Sequence, residues 1–148
     1  MEKKLTRKVE DYLESILEIV EINEYARTKD IAMLMRVKPP SVVEMIGKLD
    51  RMGLVIYRKY NGVTLTYQGE KIAREIRDRH ESIRTMLEII RVPKDIASKD
   101  ACIMEHELEP ETINQIRNFV SFMNIDGEND EWLEKFEIFC KISNTNVK

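Results

Sequence analysis

Apolar side chains recur at a helical interval almost from the first residue. Val9, Leu13, Ile16, Leu17 and Val20 trace one face of a helix over residues 6–22, which stops ahead of the turn-like Asn23-Glu24-Tyr25. Thr28 is a candidate cap for a short second helix with Asp30 in its first turn and Ile31, Leu34 and Met35 as its apolar face. Pro39-Pro40 suits a helix entry, and Val42, Val43, Met45, Ile46 and Leu49 carry the pattern to a stop at Gly53. The period then changes from 3.6 to 2. Leu54 to Lys59 and Val63 to Thr66 are β-branched runs flanking Tyr60-Asn61-Gly62, which predicts a hairpin with Arg58 and Lys59 on its first strand.

Beyond the hairpin the helical period returns. Ile72, Ile76, His80, Ile83, Leu87 and Ile90 form one stripe and predict a continuous helix from Thr66 to about Ile90. Further helices are expected near 93–108, 110–123 and 128–142, opened by Pro93 and Pro110 and divided by Gly127, with Ser143 to Lys148 fraying. The fold class is therefore mainly α. Three helices followed by a two-stranded β wing is the order of a winged helix-turn-helix, expected over residues 1–70, with an all-helical second domain over 71–148. The methionines, Met33, Met45, Met52 and Met86 among them, read as core filler.

Charge sharpens the division. Residues 25–74 hold 10 basic and 4 acidic side chains, whereas residues 75–148 hold 10 and 16, within a chain of net charge −3. A basic island coinciding with the winged helix is what a phosphate-binding surface needs. With no apolar run long enough for a bilayer and no signal-peptide core after Met1, a cytoplasmic protein without membrane association is expected. Two cysteines, Cys102 and Cys140, make no disulfide framework.

The candidate chemistry lies mostly in the acidic half. In Cys102-Ile103-Met104-Glu105-His106 the Cys, Glu and His fall at i, i+3 and i+4, which puts a thiolate, a carboxylate and an imidazole on one helical face. That mixture suits a divalent transition ion better than Ca²⁺ or Mg²⁺. The chain has two histidines, and His80, the other one, sits in the long-helix stripe. Asp11 and Glu14 add two carboxylates at the edge of the first helix.

Taken in order, these segments resemble the diphtheria-toxin-repressor and manganese-transport-regulator family of metal-dependent repressors. Asp11-Tyr12-Leu13-Glu14 looks like its first-helix metal motif and Pro39-Pro40-Ser41-Val42-Val43 like its reader-helix entry. Arg79-His80-Glu81 and Cys102-x-x-Glu105-His106 look like its later ligand motifs. The resemblance implies a metal site of Asp11, Glu14, His80, Cys102, Glu105 and His106 that binds Mn²⁺ or Fe²⁺, with Co²⁺ or Zn²⁺ able to substitute. Manganese-tuned members have a carboxylate where this chain has Cys102, and iron-tuned members have Met where it has Asp11, so the site is a hybrid. Ser98 and Arg84 stand where an ancillary site would need a His and a Glu. The chain also resembles the shorter, manganese-type architecture without a further C-terminal β domain.

On the nucleic-acid side the resemblance points to Pro40, Ser41 and Glu44 near base edges and Lys48 at a phosphate, after an entry at Lys38. Arg27, Lys29, Arg36, Arg58 and Lys59 are expected to contact backbone. The function expected is a homodimeric, metal-activated repressor that binds double-stranded operator DNA of metal-uptake genes. A winged-helix regulator with a structural ion or no metal switch is the alternative, although Cys140 amid Phe136, Phe139 and Ile142 offers poor material for a closed zinc site. A metallo-hydrolase would need a His-Glu-x-x-His motif or a phosphate loop, and neither is present.

Overall fold

The computed structural model describes residues 4–125 and 127–145, the last of these by its backbone alone. In chain order the elements are α1 (Arg7–Asn23), α2 (Thr28–Met35), α3 (Pro39–Arg51), β1 (Val55–Arg58), β2 (Gly62–Leu65), α4 (Tyr67–Ile89), α5 (Lys94–Glu107), α6 (Pro110–Met123) and α7 (Asp130–Thr145). Two compact units, Met1–Asp78 and Arg79–Lys148, meet at a boundary inside α4.

The first unit is a winged helix-turn-helix. Thr6 caps α1, its hydroxyl accepting from the Val9 N–H at 3.4 Å. Val9, Tyr12, Leu13, Ile16 and Leu17 then form a buried stripe, packed in one core with Ile31 and Ala32 of α2 and Val42, Met45, Ile46 and Leu49 of α3. Each such Leu or Ile contributes roughly 1.5–3 kcal/mol by leaving water. β1 and β2 pair antiparallel with Val55 opposite Leu65 and Arg58 opposite Gly62. Ala26 adds a third leg, exchanging two backbone hydrogen bonds of 2.8 Å with Val63. Gly62 makes this close approach feasible, because at its φ of 76° a Cβ would stand 2.6 Å from the Ala26 carbonyl oxygen.

The joint between wing and α4 is equally tight. Thr66 accepts from the Gly69 N–H at 3.1 Å, capping α4, and donates its hydroxyl to the Gly53 carbonyl at 2.7 Å. A Cβ on Gly69 would lie 1.9 Å from the Leu54 carbonyl oxygen. Glu21 of α1 accepts from Arg74 at 3.3 Å and Arg77 at 2.7 Å on α4.

In the second unit Ile83, Ala101, Ile113 and Ile116 form a small core, flanked by Met86, Leu87, Met104, Leu108 and Val120. α4 closes at Arg91, which takes φ 70° while the Val92 N–H returns to Leu87 at 2.9 Å. Trp132 and Phe136 stack at 5.7 Å along α7, and Arg91 pairs with Glu137 at 2.9 Å.

Several local expectations change. Thr28 is the first residue inside α2 rather than its cap, because the Arg27 carbonyl already accepts from Asp30 and Ile31. Leu34 of α2 and Val43 of α3 turn outward, 43% and 60% exposed, and Met33 and Met52 are exposed rather than core filler. Lys59 lies in the turn, since the Asn61 N–H bonds back to Arg58 and ends β1 there. α7 starts at Asp130 and runs on to Thr145, past the expected end at 142. Its Leu133 N–H bonds to the Asn129 carbonyl, and Lys141 braces Glu137 at 3.0 Å. Ser143 is thus helical, and residues 146–148 of the expected frayed end lie outside the described residues.

Candidate metal centre

Cys102, Glu105 and His106 share one face of α5 because residues three and four apart on a helix are neighbours. The face is graded in depth: Glu105 and His106 are 2% and 5% exposed, whereas Cys102 is open to solvent. His80, on the stretch of α4 within the same unit, reaches this face from the neighbouring helix. Its Nδ1 donates to Glu105 Oε2 at 2.8 Å and lies 3.7 Å from Cys102 Sγ. The other Glu105 oxygen, Oε1, is 3.1 Å from His106 Nε2. One buried carboxylate therefore lies between two imidazoles and is hydrogen-bonded to that of His80, with a sulfur at the rim.

One ligand atom from each of His80, Cys102 and Glu105 falls within 4.8 Å of the others. Donors at the usual 2.0–2.3 Å from a transition ion are roughly 3–4 Å apart from one another. The trio is gathered close to that spacing, with His80 Nδ1 2.8 Å from Glu105 Oε2 and 3.7 Å from Cys102 Sγ, and its S, N and O donors suit such an ion. A buried carboxylate also needs compensating charge or hydrogen bonds, and the His80 Nδ1–H supplies one of them.

Asp11 and Glu14 lie on α1 in the first unit. They are half-buried and flank Tyr12 and Leu13, which are fully buried, so helical spacing holds both carboxylates at the margin of the core. Asp11 stands 3.9 Å from Arg7 one turn earlier. Burial, and then the Glu44 carboxylate, raise the Tyr12 phenol above its ordinary pKa. Arg84, at the position where the family resemblance implies an ancillary ligand, is bound by Glu81 and by Glu88 at 2.7 Å. Hydrogen bonding to Glu81 is the main cause of its raised pKa. That guanidinium fills its place with a cation, and Ser98 on α5 is half-buried.

The expected DNA-contacting residues all lie in the first unit, and all are exposed: Arg27, Lys29, Arg36, Lys38, Pro40, Ser41, Glu44, Lys48, Arg58 and Lys59. Two are positioned by aromatics that sequence reasoning passed over. Arg27 donates to the Tyr25 hydroxyl at 2.8 Å and lies over its ring, and Lys59 lies 5.7 Å from the Tyr60 ring centre. The Tyr-x-Arg and Lys-Tyr pairs were visible in the chain, and their short spacing was the available signal.

Comparison with known proteins gives two consecutive family matches along the chain. Residues 4–63 match the family described as iron dependent repressor, N-terminal DNA binding domain, and residues 66–134 match its metal binding and dimerisation domain. The chain is 36% identical over 132 residues to the HTH-type transcriptional regulator MntR of Lysinibacillus sphaericus (strain C3-41), covering 89% of this chain and 93% of that one. The same figures hold for MntR of Bacillus subtilis (strain 168). Among solved structures, the manganese regulator SloR superposes with a TM-score of 0.69 at 30% identity over 80% of this chain; the match spans 55% of the SloR chain. These relatives are regulators, not enzymes. The chain belongs to the iron dependent repressor family of metal-dependent, DNA-binding transcriptional repressors.

Proposed function

We propose that this repressor is a homodimer switched on by Mn²⁺ or Fe²⁺ and that it silences operators of metal-uptake genes. The observation that carries the reading is the cluster of His80, Cys102 and Glu105, three ligand atoms of the right chemistry within 4.8 Å. His106 Nε2 lies 3.1 Å from the second oxygen of Glu105, and His106, Asp11 and Glu14 are the remaining ligands in this proposal. The names of MntR and SloR favour manganese, and the thiolate of Cys102 keeps iron in play.

A bound divalent ion supplies charge that carboxylates on different helices can share. Glu105, buried between two imidazoles, fixes the direction of the lone pairs, and Cys102 offers the solvent-facing donor. With Asp11 and Glu14 drawn into the same set, occupancy of the centre is felt by the unit that carries α3, and the population shifts toward conformers that fit DNA. Two-fold symmetry follows from operator geometry, since two reader helices must enter major grooves about 34 Å apart.

The test is anaerobic duplex binding titrated with Mn²⁺, Fe²⁺, Co²⁺ and Zn²⁺. Metal should tighten DNA binding, and DNA should tighten metal binding by the same factor. His106→Ala should lose metal-dependent binding while keeping its helical content and its oligomeric state. Equal metal affinity with and without duplex would overturn the switch.

A further inference from the structure

The exposed stripe of α3 carries an unusual set of side chains for a reader helix. From its start it presents Pro39, Pro40, Ser41, Val43 and Glu44, then the half-exposed Gly47, and its first cation is Lys48. No Arg, Lys, Asn or Gln stands in the first two turns, so the bidentate contacts that read guanine or adenine are missing where such helices usually touch base edges.

Two features of the stripe have no explanation inside the fold. Val43 is 60% exposed although the sequence period places it with the core residues. Gly47 sits mid-helix, where glycine weakens a helix relative to alanine, yet a Cβ there would meet nothing closer than a flexible Arg51 nitrogen at 3.5 Å. Packing does not require glycine at 47. The two residues adjoin: with Thr28, Ile46, Asp50 and Tyr57 they line a shallow, mainly apolar cleft of about 200 Å³. An aliphatic wall beside a missing side chain is complementary to a small apolar knob, and the major groove offers one such knob, the 5-methyl of thymine.

Resting on the reading of α3 as the DNA-reading helix, we propose that Val43 and Gly47 form a receptor for a thymine methyl and are the specificity-determining pair of this repressor. Glu44 beside them accepts from cytosine N4 and repels phosphate, which favours a pyrimidine-bearing strand under α3. Sequence is then read by a methyl contact and a single acceptor, and Lys48 holds register on the backbone.

The experiment uses the full-length protein with Mn²⁺ to select duplexes from a randomised library, followed by anisotropy titrations in which each thymine of a selected duplex is replaced by deoxyuridine. Loss of one contacted methyl should weaken wild-type binding by about 4-fold, the equivalent of one buried methyl group. Val43→Ala should bind the thymine duplex more weakly and lose most of that methyl sensitivity. Gly47→Ala should raise the melting temperature and still weaken the selected duplex, since its methyl would occupy the cleft. Uniform insensitivity to deoxyuridine, or undiminished methyl sensitivity in Val43→Ala, would overturn the receptor. So would unchanged duplex affinity in Gly47→Ala. A library that yields no metal-dependent duplex would instead overturn the DNA-switch reading and the receptor with it.

Discussion

Replacing Glu105 by Gln separates the work that this carboxylate does for the fold from the work it does for an ion. In the structure the carboxylate accepts from His80 at 2.8 Å and lies 3.1 Å from His106. Gln keeps the shape and one acceptor, and either imidazole can change tautomer to meet the new amide N–H. Loss of a charge-assisted hydrogen bond should therefore lower metal-free stability by only about 1–2 kcal/mol. Metal binding should suffer more, because a neutral amide replaces the buried anionic donor. Altering even an outer-sphere partner weakens metal affinity 10–100-fold, so a direct ligand should cost at least about 100-fold. At an ion concentration about 1,000 times the wild-type Kd, binding adds about 4.1 kcal/mol to wild-type stability. A 100-fold weaker variant gains about 1.4 under the same conditions. For a chain of this size the difference of about 2.7 kcal/mol corresponds to roughly 5–11 °C in the metal-induced rise of the melting temperature. The assay is thermal unfolding of both proteins with chelator and with Mn²⁺ or Co²⁺. Equal metal-induced shifts in wild type and Glu105→Gln would remove Glu105 from the centre.

Two further predictions concern the scaffold. Gly69→Ala places a Cβ 1.9 Å from a backbone oxygen, which no rotamer change can relieve. It should destabilise the first unit by about 3 kcal/mol or more, against the usual gain from alanine in a helix, and unchanged urea midpoints would contradict that geometry. Glu21, whose pKa is lowered chiefly by its hydrogen bond to Arg77, stabilises the fold as a carboxylate. That contribution is present above the ordinary carboxylate value and disappears as pH falls through the lowered one. Stability measured from pH 6 to pH 3 should fall more steeply in wild type than in Glu21→Gln. Because the side chain is 38% exposed, the difference should stay below about 1 kcal/mol.

The winged helix was legible because its elements depend on period and local stop signals. The helical stripe of α1, Pro39-Pro40 opening α3 and Asn61-Gly62 at the end of the turn into β2 each say locally what the chain does there. Less legible was any feature made by distant backbone. The bridge of Ala26 to Val63 leaves no mark on either residue, and Arg91 ends α4 in a left-handed conformation without the glycine that usually announces one. In the candidate centre, the spacing of Cys102, Glu105 and His106 was readable, whereas the meeting of His80 with Glu105 depends on how α4 packs on α5. Val43 was misread because a β-branched residue at the margin of an apolar stripe satisfies the period equally well inside or outside the core.

The bridge at Ala26 also divides the wing in time. Val63 donates its amide to Ala26, Ala26 donates back, and both residues are fully buried at the root, whereas Tyr60 at the tip is 88% exposed. Amide exchange at the root must wait for an opening of the core, while the tip can fluctuate without one. A single short hairpin thus runs on two clocks, slow where it joins the scaffold and fast where Lys59 and Tyr60 reach outward.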